Sequence, residues 1–230
     1  MVLRSPKDRP NLIKNIPGTN FFAQNIFCIG RNYAEHAKEL NNPIPTSPVV
    51  FIKPNSSLCF DGENLILPTQ SNRVDHEVEI VLVIGKKGKN ILVPNAHEYI
   101  SHLGIGLDFT ARDLQDKAKD KSLPWSIAKG FDTFAGIGHF QVFDGNVLQL
   151  SNLQFHLAVN GEIKQKGNSQ NMLFSIPQIV SYLSTIFTLS PGDIIFTGTP
   201  EGVGVLKKGD SLEAVLEGYS TLSLGVVSVE

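Results

Sequence analysis

Apolar and polar residues alternate along residues 74–85, VDHEVEIVLVIG, in the pattern of a β-strand. Successive side chains of a strand point to opposite faces, so Glu77 and Glu79 share one face, while His76 and Val78 lie on the other. Both faces become apolar in the second half of the stretch, which predicts a strand that is buried on both sides. The sequence therefore predicts two carboxylates at the entrance of a buried strand.

The rest of the pattern predicts many short strands and few helices. Apolar runs bounded by glycine, proline or polar residues predict strands at residues 26–29, 48–54, 65–67, 104–109 and 193–197, and alternating strands after residue 210. Asn160-Gly161 predicts a hairpin over residues 153–168, which we interpret as scaffold. Helical spacing predicts helices at residues 31–40, at 111–121 with Thr110 as the N-cap, and at 175–187. The predicted fold class is α+β and mostly β.

Composition is that of an ordinary globular protein with one main domain. The chain has 230 residues, of which 41% are hydrophobic, and this is long enough for a sizeable core. A net charge of −2 without runs of lysine or arginine predicts that the protein has no nucleic acid partner. Apolar runs are too short to span a bilayer, so no membrane partner is predicted either. Cys28 and Cys59 predict reduced core thiols in a cytoplasmic protein. Residues 1–25 are predicted to form an irregular lead-in to a domain over residues 26–230.

The carboxylate pair is the first candidate for chemistry. Burial of one unpaired ion costs on the order of several kcal/mol, and a second carboxylate adds repulsion, which a bound divalent cation would reverse. Asp108 ends the predicted strand at residues 104–109 and is a candidate to reach the same ion. The alternative is that Glu77 and Glu79 remain in contact with water where their strand begins.

Two pairs of polar residues have a spacing suited to a site on a helix. His36 and Glu39 are three residues apart, which lets a carboxylate orient an imidazole, although a solvated helix face has the same pattern. Arg112 and Gln115 repeat this spacing on a later helix. That second pair either faces a ligand or lies on a charged surface.

Other candidates are isolated polar residues. Lys129 stands among bulky residues in LPWSIAKGFDTF, and either extends to solvent or is held for a negative charge. Gly198 and Thr199 would offer a backbone N–H and a hydroxyl to an anion, unless they only form a tight turn between strands. Lys53, at the end of the strand over residues 48–54, is either structural or part of a site.

Seven motifs, in this order, are similar to those of the fumarylacetoacetate hydrolase family, most closely its short branch of acylpyruvate hydrolases and oxaloacetate decarboxylases. The motifs are IGRNYAEHAKE, FIKP, HEVEIVLVIG, GLDFTARDLQ, LPWSIAKGFD, FSIP and GDIIFTGTPEGVG, and they span about residues 26–206. The resemblance implies a mixed β-roll or barrel with peripheral helices. It also implies a homodimer, which one sequence cannot derive.

The resemblance implies a role for each candidate residue. The implied ligands of a Mg²⁺ or Mn²⁺ ion are Glu77, Glu79 and Asp108, an all-oxygen set that suits a hard cation. The implied catalytic residues are His36 and Glu39, a dyad that activates water, and Lys129, which stabilises a developing enolate. The implied substrate-binding residues are Arg31, Arg112, Gln115 and Thr199, with Gly198 beside them. Full-length members have an additional acidic ligand near Arg31, and the arginine here favours a site of three carboxylates.

The implied function is cleavage of a C–C bond in small 2-oxo acids, such as acylpyruvates and oxaloacetate, through a metal-bound pyruvate enolate. A second hypothesis is an isomerase or tautomerase of unsaturated 2-oxo dicarboxylates in aromatic catabolism, which would use the dyad for proton transfer. A third hypothesis is a non-catalytic protein stabilised by a metal. The sequence offers little for this last one, because the dyad, the lysine and the carboxylates are all present.

Overall fold

The computed structural model describes residues 14–39 and 43–228, so the predictions for residues 1–13 and 40–42 lie outside the described part. The α-helices are α1 (Ala34–Glu39), α2 (Arg112–Asp120), α3 (Ser126–Lys129) and α4 (Ile176–Ile186). Short 3₁₀ helices lie at Asn55–Ser57, Val93–Tyr99, Gln149–Ser151 and Ser169–Asn171. Within the described ranges, no helix is both long and apolar enough to cross a bilayer.

Strands make up most of the regular structure. The first eight are β1 (Ile26–Gly30), β2 (Val49–Lys53), β3 (Leu58–Phe60), β4 (Asn64–Leu67), β5 (Val74–His76), β6 (Val78–Ile84), β7 (Ile100–Asp108) and β8 (Thr110–Ala111). The others are β9 (Ala135–Ile137), β10 (Gln141–Val142), β11 (Gln154–Val159), β12 (Glu162–Asn168), β13 (Ile194–Phe196), β14 (Gly204–Val205), β15 (Ser211–Leu216) and β16 (Ser220–Ser228).

These strands form three sheets in the described part of the chain. The largest has the order β2-β1-β13-β6-β7-β9-β3, with β10 paired to β7, and it curls into a half-barrel. It is mixed, because β1 runs parallel to β13 while β6 is antiparallel to both β13 and β7. The second sheet has the order β12-β11-β15-β16-β4, and the third has the order β14-β5-β8. The predicted α+β, mostly β fold with a mixed rolled sheet is confirmed.

Strand β6 lies at the centre of the large sheet and separates two hydrophobic clusters. Residues Val78, Ile80, Leu82 and Ile84 belong to the larger cluster, and Val81 and Val83 belong to the smaller one. All of them are fully buried, as the apolar pattern predicts. Burial of each such side chain contributes roughly 1.5–3 kcal/mol, so the strand is firmly anchored.

The prediction of one continuous strand over residues 74–85 is wrong at Glu77. Strand β5 ends at His76 and β6 begins at Val78, so Glu77 lies between them. The break arises because β5 pairs with β8 and β14 in the small sheet, whereas β6 pairs with β7 and β13 in the large one. The chain changes sheets at this glutamate.

Gly106 on β7 lies where neighbouring chain segments approach one another closely. It is the antiparallel partner of Glu79. A Cβ at Gly106 would lie only 2.6 Å from Val81 Cγ2 and 2.7 Å from the carbonyl oxygen of Gly136. A side chain at this position would therefore push the neighbouring segments apart, and glycine allows their close approach.

Two predicted element ends differ from the structure. Thr110 is not the N-cap of α2, because it pairs with Asp75 across β5 and β8, and Ala111 takes the cap position instead. The apolar pattern also predicts a helix end over residues 98–103, but the 3₁₀ helix stops at Tyr99 and β7 begins at Ile100. In both places strand pairing, which a local pattern does not reveal, decides the boundary.

The predicted hairpin and the predicted core thiols are present. Asn160 and Gly161 join β11 to β12, with φ angles of 53° and 78°, as a tight hairpin turn requires. Cys28 and Cys59 are both buried and unbridged.

Candidate active site

Three carboxylates meet in the interior of the protein, where β6 begins and β7 ends. Glu77, Glu79 and Asp108 each place an oxygen within 4.8 Å of the others, and all three are buried. The antiparallel pairing of β6 with β7 aligns them, and Asp108 N donates to the carbonyl oxygen of Glu77 at 2.8 Å. Glu77 and Glu79 thus face the same side as their parity predicts, and His76 is not part of the cluster.

Two cations neutralise Glu77. Lys129 Nζ donates to Glu77 Oε2 at 2.8 Å and to Asp108 Oδ2 at 2.6 Å, while Arg112 Nη2 donates to Glu77 Oε1. Burial alone would raise the pKa of Glu77, but Lys129 and Arg112 outweigh it and hold this pKa well below its ordinary value. Burial would likewise lower the pKa of Lys129, but Asp108 and Glu77 raise it. Both groups are therefore charged near neutral pH.

Glu79 is in the opposite electrostatic situation. Burial and the carboxylates of Asp108 and Glu77 raise its pKa well above the ordinary value. Within the described residues, its side chain has a hydrogen bond from Gly198 N–H, at 2.6 Å, but no ion pair. That bond differs from the predicted role of Gly198, because its N–H is directed at Glu79 and not left for a substrate anion.

Lys53 has a structural role, which the sequence could not distinguish from a role in a site. Its fully buried ammonium donates to three carbonyl oxygens, those of Phe109 at 3.1 Å, Lys129 at 2.6 Å and Phe134 at 2.7 Å. It also forms a buried ion pair with Asp108 Oδ1 at 2.6 Å. Asp108 is therefore held between two lysines, with Lys53 at Oδ1 and Lys129 at Oδ2.

These donors fit a hard divalent cation. The set is all oxygen, all three carboxylates are buried, and Glu79 has no positive partner of its own among the described residues. Mg²⁺ and Mn²⁺ favour such carboxylate oxygens. The residues that would hold the ion are Glu77, Glu79 and Asp108.

Helix α1 brings the two members of the predicted dyad together. His36 Nδ1 lies 3.3 Å from Glu39 Oε2, and the carboxylate also accepts from Gly202 N–H at 3.1 Å. A carboxylate beside Nδ1 favours the tautomer with the proton on Nδ1, which leaves the lone pair on Nε2. Burial lowers the pKa of His36, although Glu77 and the hydrogen bond to Glu39 oppose this. The buried imidazole is therefore neutral near pH 7.

The carboxylates and the histidine open on one small cavity. Its wall is formed by Ile29, Gly30, Arg31, His36, Phe51, Glu77, Glu79, Arg112, Gln115, Lys119, Trp125, Lys129 and Thr199. The predicted residues that do not line it lie directly behind those that do. Glu39 contacts His36, Asp108 contacts Lys129, and Gly198 contacts Glu79.

Arg112 and Gln115 face this cavity and not the surface. Arg112 Nε donates to Asp75 Oδ2 at 2.9 Å, and Arg112 Nη1 donates to Gln115 Oε1 at 2.7 Å. Burial would lower the pKa of Arg112, but Glu77 and Asp75 raise it, so the guanidinium keeps its charge. Three partners on three nitrogens fix the orientation of the guanidinium plane.

Arg31 and Trp125 form the outer part of the wall. Arg31 has a left-handed backbone with φ of 58°, and its guanidinium lies 5.8 Å from the centre of the Trp125 ring. Lys119 Nζ lies 6.0 Å from the same ring. The wall therefore has cations on both its inner and outer parts, which favours an anionic ligand.

The sequence profile described as "Fumarylacetoacetate (FAA) hydrolase C-terminal" matches residues 25–227, which is most of the chain. The chain belongs to the fumarylacetoacetate hydrolase family. The family likeness that the seven motifs indicate is thereby confirmed, together with membership of a family of enzymes.

Relatives within this family have several named activities. The chain is 46% identical to the mitochondrial oxaloacetate decarboxylase of Dictyostelium discoideum over 85% of its own length and 90% of the relative's. It is 45% identical to the mitochondrial oxaloacetate tautomerase FAHD1 of Arabidopsis thaliana, over 87% of its own length and 90% of that protein's. The structure also matches the crystal structure of fumarylpyruvate hydrolase from Pseudomonas aeruginosa in complex with Mn²⁺ and pyruvate. The TM-score is 0.87 at 35% identity, over 96% of this chain and 98% of that one.

Sequence reasoning missed several residues near the site, and three of them carry polar or aromatic groups that bear on its chemistry. Lys119 and Trp125 line the cavity, and Gln165 donates to Thr199 Oγ1 at 2.9 Å. Lys119 could have been found, since it follows Gln115 by four residues on the same helix face. Gln165 could not, because it comes from a different sheet.

Proposed function

We propose that this protein is a divalent-metal-dependent enzyme that cleaves a C–C bond in small 2-oxo acids, such as acylpyruvates and oxaloacetate. The observation that carries the proposal is that the buried cluster of Glu77, Glu79 and Asp108 adjoins the same cavity as a neutral His36. The Mn²⁺ and pyruvate named for the Pseudomonas aeruginosa relative support this choice of ion and product class.

A divalent cation bound by the three carboxylates would polarise the 2-oxo carbonyl as a Lewis acid. The chain's own residues hold the rest of the substrate. Arg112, fixed by Asp75 and Gln115, presents a charged planar donor to the substrate carboxylate, and Thr199 adds a hydroxyl. Lys129 places a positive charge where the enolate oxygen develops negative charge.

With an acylpyruvate, His36 Nε2 accepts a proton from water while the water oxygen adds to the distal carbonyl. Collapse of that adduct breaks the C–C bond and releases a carboxylic acid and the enolate of pyruvate. The proton held on His36 then returns to the enolate carbon, so the neutral imidazole is regenerated. Glu39 holds the orientation of the ring through its contact with Nδ1 during both transfers. With oxaloacetate, loss of CO₂ yields the same enolate and water is not consumed.

A second candidate is tautomerisation, in which His36 moves a proton between carbon and oxygen of a 2-oxo dicarboxylate without breaking a C–C bond. Two observations favour it. A relative that is 45% identical is named an oxaloacetate tautomerase, and the buried neutral imidazole suits reversible proton transfer. Both candidates use the same carboxylates and the same dyad.

The test is turnover by metal-free protein to which MgCl₂ or MnCl₂ is added. Acetylpyruvate and oxaloacetate are supplied separately, and pyruvate and CO₂ are measured, together with the enol absorbance of oxaloacetate. We expect metal-dependent formation of pyruvate from at least one of them, and its loss on addition of a chelator. Metal-dependent decay of the enol absorbance without CO₂ or pyruvate would establish the tautomerase instead. If no substrate responds to either metal, both candidates are wrong.

Glu39→Gln is expected to move the acid limb of the pH profile to lower pH. His36 acts as a base only when unprotonated, so kcat/KM falls as pH drops through its pKa, which burial places below the ordinary value. The hydrogen bond from Glu39 raises that pKa, so its removal lowers the pKa further. The maximal rate should fall as well, because glutamine does not favour one tautomer as a carboxylate does.

The measurement is kcat/KM between pH 4.5 and 8, with Glu35→Gln as the control. Glu35 lies on the same helix and is exposed. An acid limb that moves to higher pH in Glu39→Gln, or does not move at all, would contradict the assigned dyad.

A further inference from the structure

Gln165 is a buried polar residue on a strand that is otherwise at least partly exposed. It is 1% exposed, and it is the single buried position of β12. The pairing of β11 with β12 shifts between Leu157 and Ala158, and such a bulge re-aims neighbouring side chains. A buried amide requires hydrogen-bond partners, and those of Gln165 include Thr199 on the cavity wall and Val78, which lies between Glu77 and Glu79.

Two backbone groups fix the orientation of the Gln165 amide. Val78 N, which can only donate, lies 3.1 Å from Oε1, and Pro200 O, which can only accept, lies 3.0 Å from Nε2. A reversed amide would place donor against donor at Val78 and acceptor against acceptor at Pro200. The positions of the amide oxygen and nitrogen are therefore settled by their surroundings.

This orientation decides the hydrogen positions on two further side chains. The second N–H of Nε2 donates to Thr199 Oγ1 at 2.9 Å, so the hydroxyl is the acceptor in that bond and its own proton stays available. His76 Nδ1 lies 3.0 Å from Oε1 and is the donor there. All four hydrogen-bonding positions of the amide are thus in use, and Gln165 cannot turn away without losing several bonds at once.

The free hydroxyl proton belongs to a residue of the cavity wall. Thr199 lines the cavity together with Arg112, and within the described residues its hydroxyl forms only the bond from Gln165. The same amide accepts from the peptide N–H between Glu77 and Glu79. One side chain therefore sets the position of Thr199 relative to the strand that carries the carboxylates.

We infer that Gln165 is a positioning residue, which holds Thr199 so that its hydroxyl donates to the carboxylate of the bound 2-oxo acid. The inference rests on the proposed function. It adds to the residues of the site one that lies in the hairpin over residues 153–168, which the sequence alone indicates to be scaffold. Gln165 acts through Thr199, so removal of Gln165 should have little effect once the Thr199 hydroxyl is gone.

The experiment is a double-mutant cycle with Gln165→Met, which keeps the chain length but loses the amide, and Thr199→Val, which keeps the shape but loses the hydroxyl. Calorimetry measures pyruvate binding in saturating Mn²⁺, and a separate titration measures Mn²⁺ alone. A hydrogen bond to a charged group supports an expected loss of about tenfold in pyruvate affinity for each single variant. Mn²⁺ affinity should stay within about twofold, and the double variant should bind pyruvate within about twofold of Thr199→Val.

Lys166→Met is the matched control, because Lys166 follows on the same strand and is exposed. It should bind pyruvate as the wild type does. If Gln165→Met shows no cooperative melting, Gln165→Glu takes its place under the same criteria, since it keeps an acceptor for Val78 N and loses the N–H groups.

Additive losses in the double variant, or wild-type pyruvate affinity in Gln165→Met, would overturn the inference alone. Wild-type protein that binds Mn²⁺ but no pyruvate would overturn the proposed function, and the inference with it.

Discussion

His36→Ala is expected to lower kcat by on the order of a thousandfold while leaving Mn²⁺ affinity within about twofold. Among the described residues that line the cavity, the imidazole is the single neutral base, and its Nδ1 is held by Glu39. Because burial keeps His36 uncharged near pH 7, its removal takes no charge away from the carboxylate cluster. The rate and the metal affinity should therefore respond separately.

The measurements are steady-state turnover of acetylpyruvate and of oxaloacetate, and Mn²⁺ titration of the metal-free proteins. Lys38→Ala is the control for the helix, since Lys38 is exposed and its ion pair with Glu35 lies at the surface. It should retain wild-type kcat. A parallel loss of metal affinity and rate in His36→Ala would mean that His36 supports the metal cluster and is not the base.

Glu79→Gln is expected to have opposite effects on the metal-free and the metal-bound protein. In the metal-free protein the folded-state pKa of Glu79 lies well above its ordinary 4.5. The unfolded chain then loses this proton at lower pH than the folded chain, so stability falls as pH rises above about 4.5. Glutamine stays uncharged and still accepts from Gly198 N–H, so metal-free Glu79→Gln should melt at a higher temperature than the wild type at pH 7.

With metal the order should reverse. Loss of one of three charged ligands should weaken Mn²⁺ binding by well over tenfold, and each tenfold reduces the stabilisation at saturating metal by about 1.4 kcal/mol. Melting curves of both proteins with and without MnCl₂ measure both effects, and Glu213→Gln on an exposed strand position is the control. If the metal-free variant melts below the wild type, the negative charge of Glu79 does not destabilise the metal-free protein. If the variant responds to MnCl₂ as the wild type does, Glu79 is not a metal ligand.

Local periodicity was sufficient to place the carboxylate strand. The two-residue period of β6 reflects burial on both faces, and this burial holds whichever strands pair with it. For that reason Glu77 and Glu79 could be assigned to one side before any pairing was known. The same pattern could not show that the chain changes sheets at Glu77, because pairing partners are distant in sequence.

Residues whose roles depend on distant partners were the ones that sequence reasoning misjudged. Thr110 is a residue type that often caps helices, but its backbone pairs with Asp75 and its hydroxyl donates to Glu77 Oε1 at 3.0 Å. Gly198 belongs to a glycine-rich loop typical of anion binding, yet its N–H is taken by a carboxylate 119 positions earlier in the chain. No sequence pattern marked Gln165 as a site residue, because a single glutamine is common in exposed hairpins. Its role depends on the packing of the second sheet against the first, which the local sequence does not reveal.

Lys53 acts in the core as a tethered structural cation, much as a zinc ion does in a small domain. Its ammonium gathers the carbonyl groups of Phe109, Lys129 and Phe134, so three segments around the cavity are joined to the end of one strand during folding. The segment that follows Asp108 and the one that carries Lys129 are therefore ordered before any ligand arrives. Since their conformational entropy is lost at folding, the cost of ordering these two segments is not added to the cost of ligand binding.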